Sequence, residues 1–194
     1  GMARLLRGDM ARGEEDIERA RSLETAERGL FATDRDRAYG WLAMARGGID
    51  DSAAILLRAA EGARGRGAHA LEAMVLHDIV RFGGADRVVD RLVELGELID
   101  GPLIHARIAQ AVGVANAGAD QLADAVERYE QLGSPLFASE SGAQLAVLHD
   151  AAGRTAEALA VAERVEAIRA RADSPITTPA LAALDAFLRR VGAG

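Results

Sequence analysis

Apolar residues recur at spacings of three and four along almost the whole chain, the β-branched residues are scattered, and aromatic residues make up only 4% of it. That is the period of one helical face, so the pattern predicts helices throughout. The breaks between them are short and carry glycine: Gly8-Asp9, Gly47-Gly48, Gly83-Gly84, Ala117-Gly118 and Gly153-Arg154. Their first residues are spaced by 39, 36, 34 and 36. A second set falls between: Gly29, Gly65 to Gly67, Asp100-Gly101-Pro102, Gly133-Ser134-Pro135 and Asp173-Ser174-Pro175. Each period of about 36 residues therefore holds two helices, the signature of a tetratricopeptide-like array.

Positions within the period agree. Five, nine and twelve residues after each first break come Gly13, Ile17 and Ala20; Ser52, Leu56 and Ala59; Val88, Leu92 and Leu95; Leu122, Val126 and Tyr129; Ala158, Ala162 and Val165. All are apolar or small, as the second helix of a pair requires when its own partner and the next repeat cover it. On the first helix, a bulky-then-small pair precedes the break in two repeats, Tyr39-Gly40 and Leu145-Ala146, and is degenerate in Val75-Leu76 and Ala109-Gln110. Ser134 and Ser174 stand where N-caps are expected, with proline directly after. Thr33 with Asp36 resembles a capping box. Thr178-Pro179 starts a final helix to about Val191, with Leu181, Leu184 and Leu188 on one face, which caps the array.

The fold expected is all-α: a tetratricopeptide-like α-solenoid of antiparallel helix pairs with a C-terminal capping helix. Residue 1, a glycine ahead of Met2, reads as a tag scar. Residues 2–194 read as a single helical-repeat domain with turns near 8, 47, 83, 117 and 153 and a last helix at about 178–191.

Composition narrows the function classes. All 23 basic residues are arginine, and with 30 acidic residues the formal net charge is −7. Phosphate backbones need clustered cations, so no direct nucleic-acid contact is expected from this segment. No apolar run reaches the ~18 residues of a membrane span, and a cytoplasmic location without membrane contact is expected. The absence of cysteine removes thiolate metal sites and cysteine nucleophiles. The absence of lysine removes the phosphate-binding P-loop. No cofactor and no metal are expected, and no catalytic residue.

Several patterns invite chemistry and have plainer explanations. His77-Asp78 and His149-Asp150 are adjacent in sequence, but neighbours on a helix point about 100° apart and cannot pair on one face. They read as helix-end histidines, solvated or bonded to a nearby carbonyl. His69 and His77 flank Glu72 at a spacing that suits one helix face only loosely. "GARGRG", Gly62 to Gly67, could hold an anion at a helix start but reads as a turn. "ASESGAQ" around Ser139 and Ser141 lacks a nucleophile elbow and reads as ordinary helix. Glu14-Glu15-Asp16 and Asp50-Asp51 fall in first helical turns, where negative charge complements the macrodipole. Glu15/Arg19, Glu24/Arg28, Asp124/Arg128 and Asp185/Arg189 are i, i+4 pairs that mark solvated faces. Trp41 reads first as core; with Tyr39 and Met44 it could instead anchor a ligand on the inner face of an early repeat. The residues proposed to contact a ligand or partner on the concave face are Tyr39, Trp41, Met44, Met74, His77, His105, Gln110 and His149.

From Tyr129 to Leu181 runs "YEQLGSPLFASESGAQLAVLHDAAGRTAEALAVAERVEAIRARADSPITTPAL". Tyr129, Glu130, Leu132, Gly133, Ala138, Glu140, Ala151 to Arg154, Glu157, Ala158 and Thr178 to Leu181 carry a resemblance to the helical-repeat region of large actinobacterial LuxR-family transcriptional regulators, the group related to MalT. "RGAHALEAMVLHDIVRFG" upstream also resembles that family's repeats. The resemblance implies a non-enzymatic sensor segment of a LuxR-type regulator that binds a protein partner or small effector. It carries over no residue of the family's nucleotide-binding or helix-turn-helix domains, since the Walker lysine is missing and the chain continues "AALDAFLRRVGAG". A standalone tetratricopeptide-like adaptor unrelated to transcription is the alternative. An enzyme using His77 or His105 is the third reading.

Overall fold

A computed structural model describes residues 1–22, 31–171 and 176–192. These divide into two compact units, Gly1–Phe82 and Gly83–Gly194, and the division falls at one of the glycine breaks. The first unit contains α1 (Met2–Leu6), α2 (Met10–Ser22), α3 (Ala32–Ala45), α4 (Ile49–Gly65) and α5 (His69–Arg81). The second contains a 3-10 turn (Ala85–Arg87), α6 (Val89–Gly96), α7 (Pro102–Ala115), α8 (Ala119–Gln131), α9 (Pro135–Ala151), α10 (Thr155–Arg169) and α11 (Pro179–Gly192). Among the described residues there is no strand. No described helix is long and apolar enough to cross a membrane.

Each helix packs on the next: α3 on α4 and α4 on α5 in the first unit, then α6 through α10 in order in the second, with α11 closing over α9. The architecture is all-α, built of antiparallel helix pairs of the tetratricopeptide-like class with a final helix that has no second partner. Of the positions expected to be covered on the second helices, all are buried except Ala20.

Small residues set the close approaches. A Cβ on Gly40 would stand 2.5 Å from Cδ2 of Leu56, a fully buried side chain, and the carbonyl of Gly40 accepts from Ser52 Oγ at 2.8 Å. In the second unit a Cβ on Gly142 would meet Val165 Cγ2 at 2.6 Å. In the Tyr39-Gly40 pair the small second residue thus has a physical cause: it is where α3 makes room for the Leu56 side chain of α4.

Every inter-helix turn the structure describes contains a residue of positive φ, and in all but the α6–α7 turn it stands where the chain leaves the preceding helix and its last carbonyls are satisfied. At Gly47, for instance, φ is 84°, its N–H donates to Met44 O, and Gly48 N–H donates to Ala43 O. Gly8, Gly67, Gly83, Gly133 and Gly153 adopt the same hand, whereas Gly101, at φ 109° and ψ 161°, is the N-cap of α7. The turn after α7 departs from this, because its left-handed position is Ala117 at φ 51° while Gly118 is the extended N-cap of α8. A side chain there is strained by roughly 1 kcal/mol. Ala117→Gly is therefore expected to raise stability by about 0.5–1 kcal/mol, checked by urea unfolding followed by circular dichroism.

Several local expectations are corrected. Ser134 holds the N-cap position of α9 but makes no side-chain capping bond. Helix α3 starts at Ala32, so Thr33 lies inside its first turn, and its hydroxyl accepts from Arg66 Nη2 at 2.6 Å in place of forming a capping box. Helix α2 begins at Met10, which puts Glu14-Glu15-Asp16 a turn inside; Glu14 pairs with Arg46, and Asp16 with Arg4 and the terminal amine. Asp50 and Asp51 do occupy the first turn of α4. Gly62 to Gly65 belong to α4, and only Arg66 and Gly67 form the turn. Asp124 and Arg128 pair at 2.7 Å, whereas Asp185 is taken by Arg169 from α10 at 2.8 Å. Leu181 N–H reaches back to Thr178 Oγ1, which starts α11 as expected. Gly29, the Glu24/Arg28 pair and the Asp173-Ser174-Pro175 break lie outside the described residues.

Candidate functional site

Helix α5 reads "HALEAMVLHDIVR", with no continuous polar face, and nearly all of it is buried. A carboxylate enclosed in such a helix is costly unless paired. Asp78, only 1% exposed, is paired twice. Arg37 of α3 grips it with both Nε and Nη2, the latter at 3.2 Å, and Arg81, one turn on, donates from Nη1 at 2.9 Å. The Arg81 guanidinium lies 4.5 Å over the Trp41 ring, and Trp41 meets Phe82 edge-on with centroids 4.8 Å apart. The indole N–H of Trp41 leans toward the same carboxylate without closing a full hydrogen bond.

Burial by itself would push the Asp78 carboxyl up. The hydrogen bonds and charge of Arg37, with the charge of Arg81, more than offset this and hold it below the usual carboxylate range. A carboxylate so committed is no proton acceptor, and the cluster's chemistry is to pin α3 to α5. It also corrects the expectation for His77, which is a buried interior side chain and not a solvated helix end. Trp41 lies in the core.

The remaining candidate contacts are dispersed. Tyr39, Met44 and Met74 in the first unit are half-buried. The Tyr39 hydroxyl is enclosed without a partner among the described residues, and its burial together with Glu18 pushes its pKa up. In the second unit His105 is exposed, Gln110 is buried, and His149 accepts from Arg154 Nε at Nδ1, 2.9 Å away. Among the described residues no group of three His, Asp or Glu could hold a metal ion.

The second unit carries an open groove of about 300 Å³ between α7, α9 and α11. Gly113, Val114 and Ala117 form one side, Gln144, Val147, Leu148 and Ala151 the middle, and Ala180 and Ala183 the far side, with Leu122 of α8 beneath. None of these residues is charged, although 27% of the chain is. The groove exists because α9 is apolar on more than one side. One stripe packs on α8 and α10, and a second, Gln144, Val147, Leu148 and Ala151 at helical spacing, is left facing α7 and α11. Its one polar side chain, Gln144, accepts at Oε1 from Gln110 Nε2, 2.9 Å away. Gln110 thus touches the groove through Gln144, and the other seven candidate contacts do not line it.

Arg37, Arg81, Gln144, Val147 and Leu148 were not singled out from the sequence. The all-round apolar character of α5 and α9 was the signal available: the first implies that its charges are paired, the second that it has apolar surface to spare.

No family model matches the chain, and neither does any curated protein. Among solved structures it is similar to the crystal structure of a Podospora anserina kinesin light chain protein with nearly identical TPR-like repeats. The identity is 16% over 87% of this chain and 91% of that one, with a TM-score of 0.49. That level of likeness says nothing about partners or activity.

Proposed function

We propose that the chain is a non-enzymatic interaction module that docks an apolar segment of a partner protein in the groove of its second unit, within a LuxR-type transcriptional regulator. The observation that carries the docking is the groove itself. An uncharged apolar trough in a strongly charged chain is surface that a partner's burial would stabilise. The LuxR context rests on the residues from Tyr129 to Leu181 that resemble that family, and those residues include the whole of α9 and α10.

A partner that binds one arrangement of the helix pairs more tightly than another shifts the population toward it, and in this way docking would reach the attached domains. Leu148 is half-buried and lines the groove. Leu148→Asp places a charge where an apolar partner must sit, so partner affinity should fall by about 100-fold or more with helicity unchanged. Binding that survives this substitution removes the groove from the reading. For the regulatory context, the flanking reading frame should encode a helix-turn-helix downstream. Specific DNA binding by this segment alone at physiological salt would overturn that assignment.

A further inference from the structure

The first unit carries a cleft of a different character, about 330 Å³ in volume, between α2, α3 and α4. Asp36, Tyr39, Ala43 and Arg46 follow one another at spacings of three, four and three, which aligns them on one face of α3 and its C-cap. Ile55 and Arg58 join them from α4, and Glu18 from α2. Leu42, Ala43 and Ile55 supply the apolar surface, and the four charged side chains are two carboxylates and two guanidinium groups. The cleft is charge-balanced, where the groove of the second unit is uncharged.

The four charges are not equally committed. Arg46 is held by Glu14 of α2, Asp36 pairs with its neighbour Arg35 at 2.7 Å, and Glu18 reaches Arg21 only at 3.8 Å. The last two pairs are solvated, and such pairs are worth little. Arg58 has no ion pair or hydrogen bond among the described residues. The register of the helix pair places it. Ser52 Oγ donates to the Gly40 carbonyl and Leu56 packs on Gly40, so a turn further along the antiparallel pair Arg58 comes level with Asp36. Glu18 and Asp36 both help to push the Tyr39 hydroxyl up, which puts the two carboxylates on one stretch of the wall.

An unpaired guanidinium offers a fork of N–H donors that fits a carboxylate. A simple anion bound there would also face Glu18 and Asp36, and a simple cation bound to those carboxylates would face Arg58. A molecule that carries both charges a few atoms apart meets each with its opposite. The volume lies at the lower end for ligand pockets. We infer that the cleft binds an aliphatic α-amino acid as its zwitterion, with the carboxylate on the Arg58 guanidinium, the ammonium on Asp36 and Glu18, and the side chain against Leu42, Ala43 and Ile55. This small-effector site does not depend on the groove of the second unit.

The test titrates the full ¹⁵N-labelled chain with leucine, N-acetylleucine and leucinamide. The second compound lacks the ammonium and the third the carboxylate. Leucine should shift the backbone amides of residues 36–46 and 55–58 saturably, and each analogue should bind at least tenfold more weakly. Arg58→Gln should weaken leucine at least tenfold with the melting temperature unchanged, because Arg58 is exposed. Asp36→Asn should weaken leucine and not N-acetylleucine.

The absence of saturable shifts with leucine up to about 10 mM, or shifts that survive Arg58→Gln, would overturn the site. N-acetylleucine binding as tightly as leucine would make the cleft an anion site, and leucinamide doing so would make it a cation site; either result removes the zwitterion. The docking reading is untouched by all of these outcomes, since Leu148→Asp tests it in the other unit.

Discussion

Asp78→Asn is expected to lower the stability of the first unit by about 3–5 kcal/mol, because it leaves Arg81 and Arg37 facing a neutral amide in the interior. Arg81 is the more exacting of the two: it is 4% exposed and has little water to turn to. A loss of that size is a large part of the stability of a small domain, and thermal melts followed by far-ultraviolet circular dichroism would show it directly. Replacing the whole set, Arg37, Asp78 and Arg81, with aliphatic residues should recover much of the loss, since it removes the unpaired charges together with the pair. A single substitution that costs less than 1 kcal/mol would mean that the cluster does not hold α3 to α5.

The same variant has a signature in pH. The folded value for Asp78 lies below that of an unfolded aspartate, about 3.9. Its ionisation therefore stabilises fully above that value, and the contribution is lost as pH falls through the folded one. Between pH 5 and 8 the difference between wild type and variant should be constant. Below about pH 4 wild type should lose stability along a limb that the asparagine variant lacks.

The second large effect is expected in the other unit. Leu184 is fully buried in a cluster with Leu181, Phe187, Ala143, Ala146, Ala158, Ala162 and Val165, through which α11 sits on α9 and α10. Leu184→Ala should cost about 2–5 kcal/mol, from the lost burial and the cavity left behind. Because α11 supplies Ala180 and Ala183 to the groove, the same change should weaken partner docking without touching a lining residue. Measured together by urea unfolding and partner titration, the two losses should track each other. A variant destabilised by this amount that docks normally would show that α11 is dispensable to the site.

The sequence announced the period and the turns. A glycine or its substitute at 8, 47, 83, 117 and 153 leaves only one way to close each helix end, and the local chemistry is written in those residues. Thr178-Pro179 announced α11 by the same logic. What stayed illegible depends on neighbours far along the chain. Nothing near Asp78 names Arg37, 41 residues earlier, as its partner, and pattern alone could not say that Thr33 would serve Arg66 and not its own helix. The groove was hidden for a different reason: it is the space left over among three helices, and Val114, Leu148 and Ala183 look like ordinary core letters until packing shows that none of the described residues covers them.

One feature of the first unit gives its study an optical handle. Trp41 is the chain's single tryptophan, and it sits between Phe82 and the Arg81 guanidinium in the interior of Gly1–Phe82. Indole emission therefore reports on that unit alone. As Asp78 and Arg81 let go, the ring meets water and its emission moves to longer wavelength, while melting confined to the second unit passes unseen. Comparing that signal with total helicity in one denaturant series tells whether the two units unfold as one cooperative body or in turn.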